Sequence, residues 1–112
     1  MDPKDLGKTS SGVQPNVAAL LSYTLGFITG LIFYLIEKEN KFVRFHAMQS
    51  MVTFGFLFVL GIFLGILPVI GWVIIPFLWI GELVLWILLM IKAYQGERFA
   101  LPIAGEIATK NS

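Results

Sequence analysis

Long apolar stretches separated by short charged segments dominate the pattern of this chain. No Asp, Glu, Lys or Arg occurs from position 9 to 36 or from position 47 to 81. Ten positions between these stretches hold Glu37, Lys38, Glu39, Lys41, Arg44 and His46. A helix needs about 20 apolar residues to cross a hydrocarbon core of about 30 Å. The pattern therefore predicts a chain of membrane-spanning helices.

We predict an all-α membrane protein with three transmembrane helices, a flexible N-terminal tail and a short interfacial C-terminal segment. Pro68 and Gly71 favour a tight turn between the second and third spans, with Pro76 in the first turn of the third. Gly96 is expected to end that helix. We assign residues 1–15 to the tail, 16–94 to the transmembrane domain with spans at about 17–36, 47–67 and 72–92, and 95–112 to the C-terminal segment.

The first charged segment and the C-terminal segment carry two further local predictions. Asn40 is a suitable N-cap residue, so a helix starting there is expected to run into the second span. The C-terminal segment is apolar but short, and it is expected to return to the inner membrane surface. Its residues predicted to face the lipid are Leu101, Ile103 and Ile107.

Composition narrows the class of protein. The chain has 112 residues, 57% of them hydrophobic and 13% charged, whereas soluble domains are about 25% charged. It has no cysteine and one histidine, so a disulfide framework, a thiolate metal site and a multi-His metal centre within one protomer are excluded. We expect no cofactor. The net charge of +1 gives no reason to expect nucleic acid as a partner.

Lys and Arg residues predict the orientation, because they concentrate in cytoplasmic loops. With three spans, the tail and the second loop share one side, where only Lys4 and Lys8 lie. The other side holds Lys38, Lys41, Arg44, Lys92, Arg98 and Lys110. We therefore predict a multi-pass protein of the cell membrane with its N-terminus outside and its C-terminus in the cytoplasm.

Glu82 lies near the centre of the third span, and a carboxyl group at bilayer depth is costly and rare. Trp79 and Trp86 share its helix face at i−3 and i+4, and each indole offers one N–H donor. Thr29 of the first span lies at a compatible depth. Two interpretations stay open: a proton- or cation-sensitive group that lines a pathway, or a neutral, hydrogen-bonded glutamate that fixes helix register.

Small residues at four-residue spacing predict close approach of helices, which stabilises packing in lipid. The positions are Ser22, Gly26 and Gly30 on the first span, and Gly61 and Gly65 on the second. These faces are interpreted either as an oligomer interface or as packing within one protomer.

A basic and aromatic segment at the inner membrane surface is the second candidate site. Lys41, Arg44, His46 and Gln49 are predicted to bind a lipid phosphate or a protein partner there. The alternative is that these residues only anchor the end of a helix at the interface.

Three segments carry a resemblance to a known family. They are the run Ile36 to Ser50 with its Arg-Phe-His-Ala-Met-Gln-Ser sequence, the glycine-containing second span, and the Leu-Pro-Ile-Ala-Gly-Glu-Ile-Ala tail. Together, over roughly residues 16–108, they resemble small prokaryotic membrane proteins similar to the chloroplast inner-envelope protein import component. The resemblance implies a multi-pass helical protein that self-associates and, for the chloroplast members, a protein-conducting channel role. That component has four spans where we predict three, so a pore would require an oligomer.

Two functions follow from these patterns. One is an oligomeric channel- or translocon-like component, and the other is a scaffold or binding protein that recognises anionic lipid or a larger membrane-protein partner. No nucleophile with an adjacent base occurs at usable spacing, which argues against an enzyme.

Overall fold

The computed structural model describes residues 7–112, and this part of the chain folds into five helices without a strand. It is elongated, with principal extents of 50 × 22 × 21 Å. The all-α prediction is confirmed for these residues, while residues 1–6 of the predicted flexible tail lie outside the described part. The helices are α1 (Pro15–Thr24), α2 (Phe27–Ile36), α3 (Lys41–Ile66), α4 (Ile70–Tyr94) and α5 (Ala104–Asn111).

Among the helices of residues 7–112, α3 and α4 are the two that are long and apolar enough to cross a bilayer, judged by length and composition. At 1.5 Å per residue they measure about 39 and 37 Å. The side chain of Asn40 accepts a hydrogen bond from the Val43 N–H at 2.9 Å, which confirms the predicted N-cap. The predicted set of three transmembrane helices is not confirmed, because the first apolar stretch is not one helix.

A tight turn joins α3 to α4. A Cβ on Gly71 would lie 1.7 Å from the Leu64 carbonyl oxygen, so only glycine permits this approach. Val69 has φ of 65°, and the Ile70 N–H donates to the Pro68 carbonyl at 2.8 Å, which together form a γ-turn with a strained central residue. Because α4 already begins at Ile70, Pro76 lies inside the helix and not in its first turn as predicted.

The predicted first span, 17–36, is divided at Gly26, which has φ of 65°. Helix α1 runs antiparallel to α4: the Asn16 side-chain N–H donates to the Tyr94 carbonyl at 3.0 Å, and the Trp86 indole to the Tyr23 carbonyl at 2.6 Å. Each half is ten residues, about 15 Å, which is half of a hydrocarbon core.

Helix α2 then returns along α3. The Phe27 and Phe58 rings lie 5.5 Å apart near its start, and Arg44 donates to the Tyr34 carbonyl at 2.9 Å near its end. We call this pair of helices the α1–α2 hairpin. The start and end of this hairpin meet, because the Ser10 and Ser11 N–H groups donate to the Glu37 carboxylate. This contact does not fit a tail and a first charged loop on opposite sides, and the orientation of the termini stays a prediction.

The C-terminal segment makes a similar excursion. Helix α4 ends as predicted at Gly96, where the N–H groups of Glu97 and Gly96 donate to the Lys92 and Ala93 carbonyls in a Schellman motif. Residues 97–103 then pass along α3. Helix α5 comes back, and the Tyr34 hydroxyl donates to the Asn111 carbonyl at 2.6 Å.

Of the three C-terminal residues predicted to face lipid, the structure leaves two exposed and turns one inward. Ile103 is 73% exposed and Ile107 is 37% exposed. Leu101 packs against the hydrophobic core, because its backbone is held beside α3. The C-terminal segment therefore packs against α3 instead of lying only on the membrane surface.

Two halves of the molecule result. The packed half comprises α1, α2, α5 and the parts of α3 and α4 they cover, residues 41–58 and 85–94. The hairpin half, residues 59–84, is the rest of α3 and α4 with its turn, and its buried residues are Leu64 and Gly71. The main hydrophobic core cluster lies in the packed half and contains Ala18, Ala19, Tyr23, Phe42, Val43, Leu89 and Ala93.

Candidate functional site

A fully buried cluster of three polar side chains lies at the centre of the packed half. Tyr23 from α1 and His46 and Gln49 from α3 are each 0% exposed. The Tyr23 hydroxyl lies 2.7 Å from His46 Nδ1, and Gln49 Nε2 donates to the same hydroxyl at 3.0 Å. Burial requires every polar atom in such a cluster to find a partner.

The cluster meets this requirement by binding the backbone after α4. His46 Nε2 lies 2.7 Å from the Glu97 carbonyl, so Nε2 carries the proton and Nδ1 accepts from Tyr23. Gln49 donates to the Phe99 carbonyl at 2.8 Å, and its side-chain oxygen accepts from the Leu101 N–H at 2.9 Å. With these bonds His46 is neutral and both its ring nitrogens have hydrogen-bond partners. The side chain therefore holds the backbone after α4 against α3, and neither nitrogen is free for proton transfer.

Aromatic rings enclose the imidazole. Phe42, Phe45 and Tyr23 contact His46 edge-on at centroid distances of 4.7, 5.1 and 5.4 Å. The ring is thus fixed by packing as well as by hydrogen bonds.

A second set of polar contacts closes the mouth of the α1–α2 hairpin. The buried Glu37 carboxylate accepts from the backbone N–H groups of Ser10 and Ser11 at 3.1 and 2.8 Å. Asn40 donates to the Lys8 carbonyl at 2.9 Å. These bonds attach residues 8–11 to the first charged loop.

The predicted inner-surface set is split by the structure. Lys41 is exposed and Arg44 is half-buried, with its guanidinium 3.9 Å above the Tyr34 ring. His46 and Gln49 are buried in the cluster, so their predicted contact with lipid or a partner does not hold. Only Lys41 and Arg44 remain available at the surface.

Every Lys and Arg of the described residues lies at the same end of the molecule, which we call the cationic end. Lys92 pairs with Glu97 at 3.1 Å, and the Arg98 guanidinium lies 5.8 Å from the Phe45 ring. Its seven cations are Lys8, Lys38, Lys41, Arg44, Lys92, Arg98 and Lys110, against the acids Glu37, Glu39, Glu97 and Glu106.

The predicted set around Glu82 is also separated. Trp86 donates its indole proton to the Tyr23 carbonyl, and the Thr29 hydroxyl contacts the Ser22 and Gly26 carbonyls and the Leu25 N–H. Thr29 thus stabilises the tip of the α1–α2 hairpin, and neither residue binds Glu82. Glu82, Trp79 and Trp86 do share an open groove of about 330 Å³ with Phe54 and Leu83.

The small residues behave differently on the two predicted faces. Ser22 is buried and bonds the Ala18 carbonyl, Gly26 breaks the helix, and a Cβ on Gly30 would lie 2.8 Å from the Ala47 carbonyl oxygen. The first face therefore packs within the protomer. A Cβ on Gly61 or Gly65 would have no atom within 4 Å, so close packing among residues 7–112 does not require glycine at either position.

No group of three or more His, Cys, Asp or Glu side chains that could hold a metal ion occurs within residues 7–112. Sequence reasoning missed the structural roles of Tyr23 and Glu37, which are buried and hydrogen-bonded. Both carried a signal: a hydroxyl within an apolar stretch and an acid at the edge of one require partners when buried.

Comparison with known proteins places this architecture in a family. The UPF0132 membrane protein MJ1443 of Methanocaldococcus jannaschii is 48% identical over 107 residues, covering 96% of each chain. A second protein of that organism, UPF0132 membrane protein MJ1527, is 46% identical over 88% of this chain and 71% of its own length. A UPF0132 membrane protein of Archaeoglobus fulgidus is 48% identical over 86% of this chain and 93% of its own.

No solved structure matches the chain. The names of these relatives do not mention the chloroplast import component, so that part of the resemblance stays a prediction, whereas a small membrane-protein family is confirmed. The model of the magnetosome magnetite crystal formation protein family matches residues 13–108. The chain belongs to this family, and its named relatives are membrane proteins.

Proposed function

We propose that the protein is a membrane scaffold whose cationic end binds anionic lipid headgroups on the cytoplasmic side. The observation that carries the proposal is the position of the charges: seven cations and four acids lie at one end, and none of the described cations lies elsewhere. Clustered Lys and Arg next to a span are attracted to an anionic leaflet by about 1 kcal/mol each.

The fold supports this proposal by fixing the cations. Lys41 and Arg44 are in the first turn of a helix capped by Asn40, and Arg44 is held on the Tyr34 ring. A guanidinium that is already oriented loses less side-chain entropy on binding a phosphate.

The proposal includes a topology with both chain ends in the cytoplasm. Helices α3 and α4 span the bilayer, and the α1–α2 hairpin enters it halfway and returns. This follows the positive-inside rule more fully than the three-span topology, because Lys8 joins the other cations.

Cysteine labelling tests the topology, since the natural chain contains no cysteine. Ser11→Cys and Ser112→Cys are expected to resist a membrane-impermeant maleimide applied to intact cells, while Pro68→Cys in the α3–α4 turn reacts. Labelling of Ser11→Cys from outside would restore the three-span topology and overturn this one.

Native mass spectrometry from nanodiscs of phosphatidylcholine and phosphatidylglycerol tests lipid binding. The double variant Lys41→Gln, Arg44→Gln is expected to lose most retained phosphatidylglycerol. Lys8→Gln with Lys110→Gln removes the same charge from the two exposed flanks and serves as control. Equal losses in both variants would show bulk attraction without a site.

A second candidate function is an oligomeric channel- or translocon-like component, as the import-component resemblance implies. The observation that favours it is the break at Gly26, where two half-length helices meet beside Ser50 and Phe54 of α3. Interrupted helices at mid-bilayer are typical of transport sites. A liposome flux that requires Glu82 would support this function, and flux unchanged by Glu82→Gln would oppose it.

A further inference from the structure

Glu82 and Trp79 are unpaired hydrogen-bonding side chains at the middle of a span. Neither makes a hydrogen bond or ion pair with any residue from 7 to 112. Trp79 is 67% exposed, and Glu82 lies beside it in the groove. Surrounded by acyl chains, these groups would have no partner, because hydrocarbon offers neither donor nor acceptor.

Both residues lie where a covered stripe of α4 becomes uncovered. Ala93, Leu89, Trp86, Glu82 and Trp79 follow each other at spacings of three or four, so they share one face of the helix. Helix α1 covers Ala93 and Leu89, which are 0% exposed, and its last turn accepts the Trp86 proton through the Tyr23 carbonyl. Glu82 lies about one turn closer to the start of α4 than Trp86, about 6 Å along the helix axis from this last contact with α1.

The chain cannot supply a partner from its own described cations, because all of them lie at the cationic end. The pair of Trp79 and Glu82 is, however, complementary to the same pair on a second copy. An indole offers one donor and a carboxyl offers acceptors, and a two-fold interface requires such a surface, since the same patch is used on both subunits.

We propose that a second copy of this chain covers the uncovered stripe in a parallel, two-fold dimer. Each Trp79 indole donates a hydrogen bond to the Glu82 carboxyl of the other copy. The inference rests on the bilayer insertion proposed above, but not on lipid binding at the cationic end.

The test uses the full chain in liposomes, with single-molecule photobleaching to count subunits over a range of protein-to-lipid ratios. Wild type is expected to be dimeric. Trp79→Phe, which keeps the ring and removes the donor, and Glu82→Leu are each expected to weaken dimerisation tenfold or more. Glu82→Gln retains an acceptor and is expected to lose less.

A matched pair of cysteine variants locates the interface. Leu83→Cys borders the groove, whereas Val84→Cys is exposed at almost the same depth on another face of α4. Oxidation is expected to cross-link the first and not the second. A monomeric wild type, full dimerisation of Trp79→Phe and Glu82→Leu, or equal cross-linking of the two cysteines would overturn the proposal.

The result is distinguishable from that of the lipid experiment. Lys41→Gln with Arg44→Gln is expected to dimerise normally, and the Glu82 variants are expected to retain phosphatidylglycerol. All these side chains are outside the core, and far-UV circular dichroism checks that the variants keep the helical content of wild type.

Discussion

The packed half and the hairpin half differ in the interactions that stabilise them. In the packed half, five chain segments converge, and buried side chains such as His46 and Gln49 bond the backbone of other segments. In the hairpin half, two helices meet at a turn and most of their residues are exposed. Polar groups that bridge segments fix a specific arrangement in lipid, whereas apolar side chains interact with lipid and with each other almost equally well.

The largest expected effect comes from breaking the cluster. Gln49→Leu leaves the Phe99 carbonyl and the Leu101 N–H without their partner, and each unpaired buried group costs about 1–3 kcal/mol. We expect the free energy of unfolding to fall by about 2–4 kcal/mol in a detergent titration, with faster proteolysis of residues 97–112.

The control for this prediction lies in the hairpin half. Phe63→Leu alters a side chain that is 58% exposed, and a change within about 0.5 kcal/mol is expected. If both variants lost the same free energy, the stability would not be concentrated in the packed half.

A glycine pair gives a smaller, sharper contrast. Gly30→Ala places a Cβ 2.8 Å from the Ala47 carbonyl oxygen and 3.0 Å from the Ser50 Cβ, so we expect a loss of about 1–3 kcal/mol in the free energy of unfolding. Gly61→Ala meets open space and is expected to gain up to about 1 kcal/mol from helix propensity. Destabilisation by Gly61→Ala under monomeric conditions would contradict the structure.

The smallest expected effect concerns a surface charge of the packed half. Glu97→Gln removes the 3.1 Å ion pair with Lys92 but keeps the backbone carbonyl that His46 binds. Exposed ion pairs contribute about 0–1 kcal/mol, so the free energy of unfolding should change by less than about 1 kcal/mol. A larger loss, suppressed by added salt, would mean that surface charge also stabilises this half.

Local signals were enough to predict part of the fold. The charges bracket the apolar parts of α3 and α4, Asn40 caps a helix because its side chain reaches the next turn, and Gly96 ends one. Each of these features depends on residues close together in sequence.

The first apolar stretch could not be predicted in the same way. It has the length of a span, and the break at Gly26 depends on contacts with residues far along the chain. Ser50 donates to the Gly26 carbonyl at 2.9 Å, and Glu37 holds Ser10 and Ser11. Hydropathy contains no information about such pairings.

Helix geometry explains why Arg44 and His46, predicted to form one site at the inner surface, do not lie together. Successive helix positions rotate by about 100°, so Arg44 lies nearly opposite His46 on α3. That rotation already separates a surface cation from a buried ring, although the sequence alone does not say which side faces the core. The predicted role of Glu82 stays a prediction.

The three-residue turn between α3 and α4 has a consequence for biogenesis. If α3 and α4 insert together, as the proposed topology requires, the only chain between them that must reach the far side of the bilayer is residues 67–69, and these carry no charge. All the charged segments stay on the side where the protein is made. Insertion can therefore be a single step for a helical pair, with no hydrophilic domain to translocate.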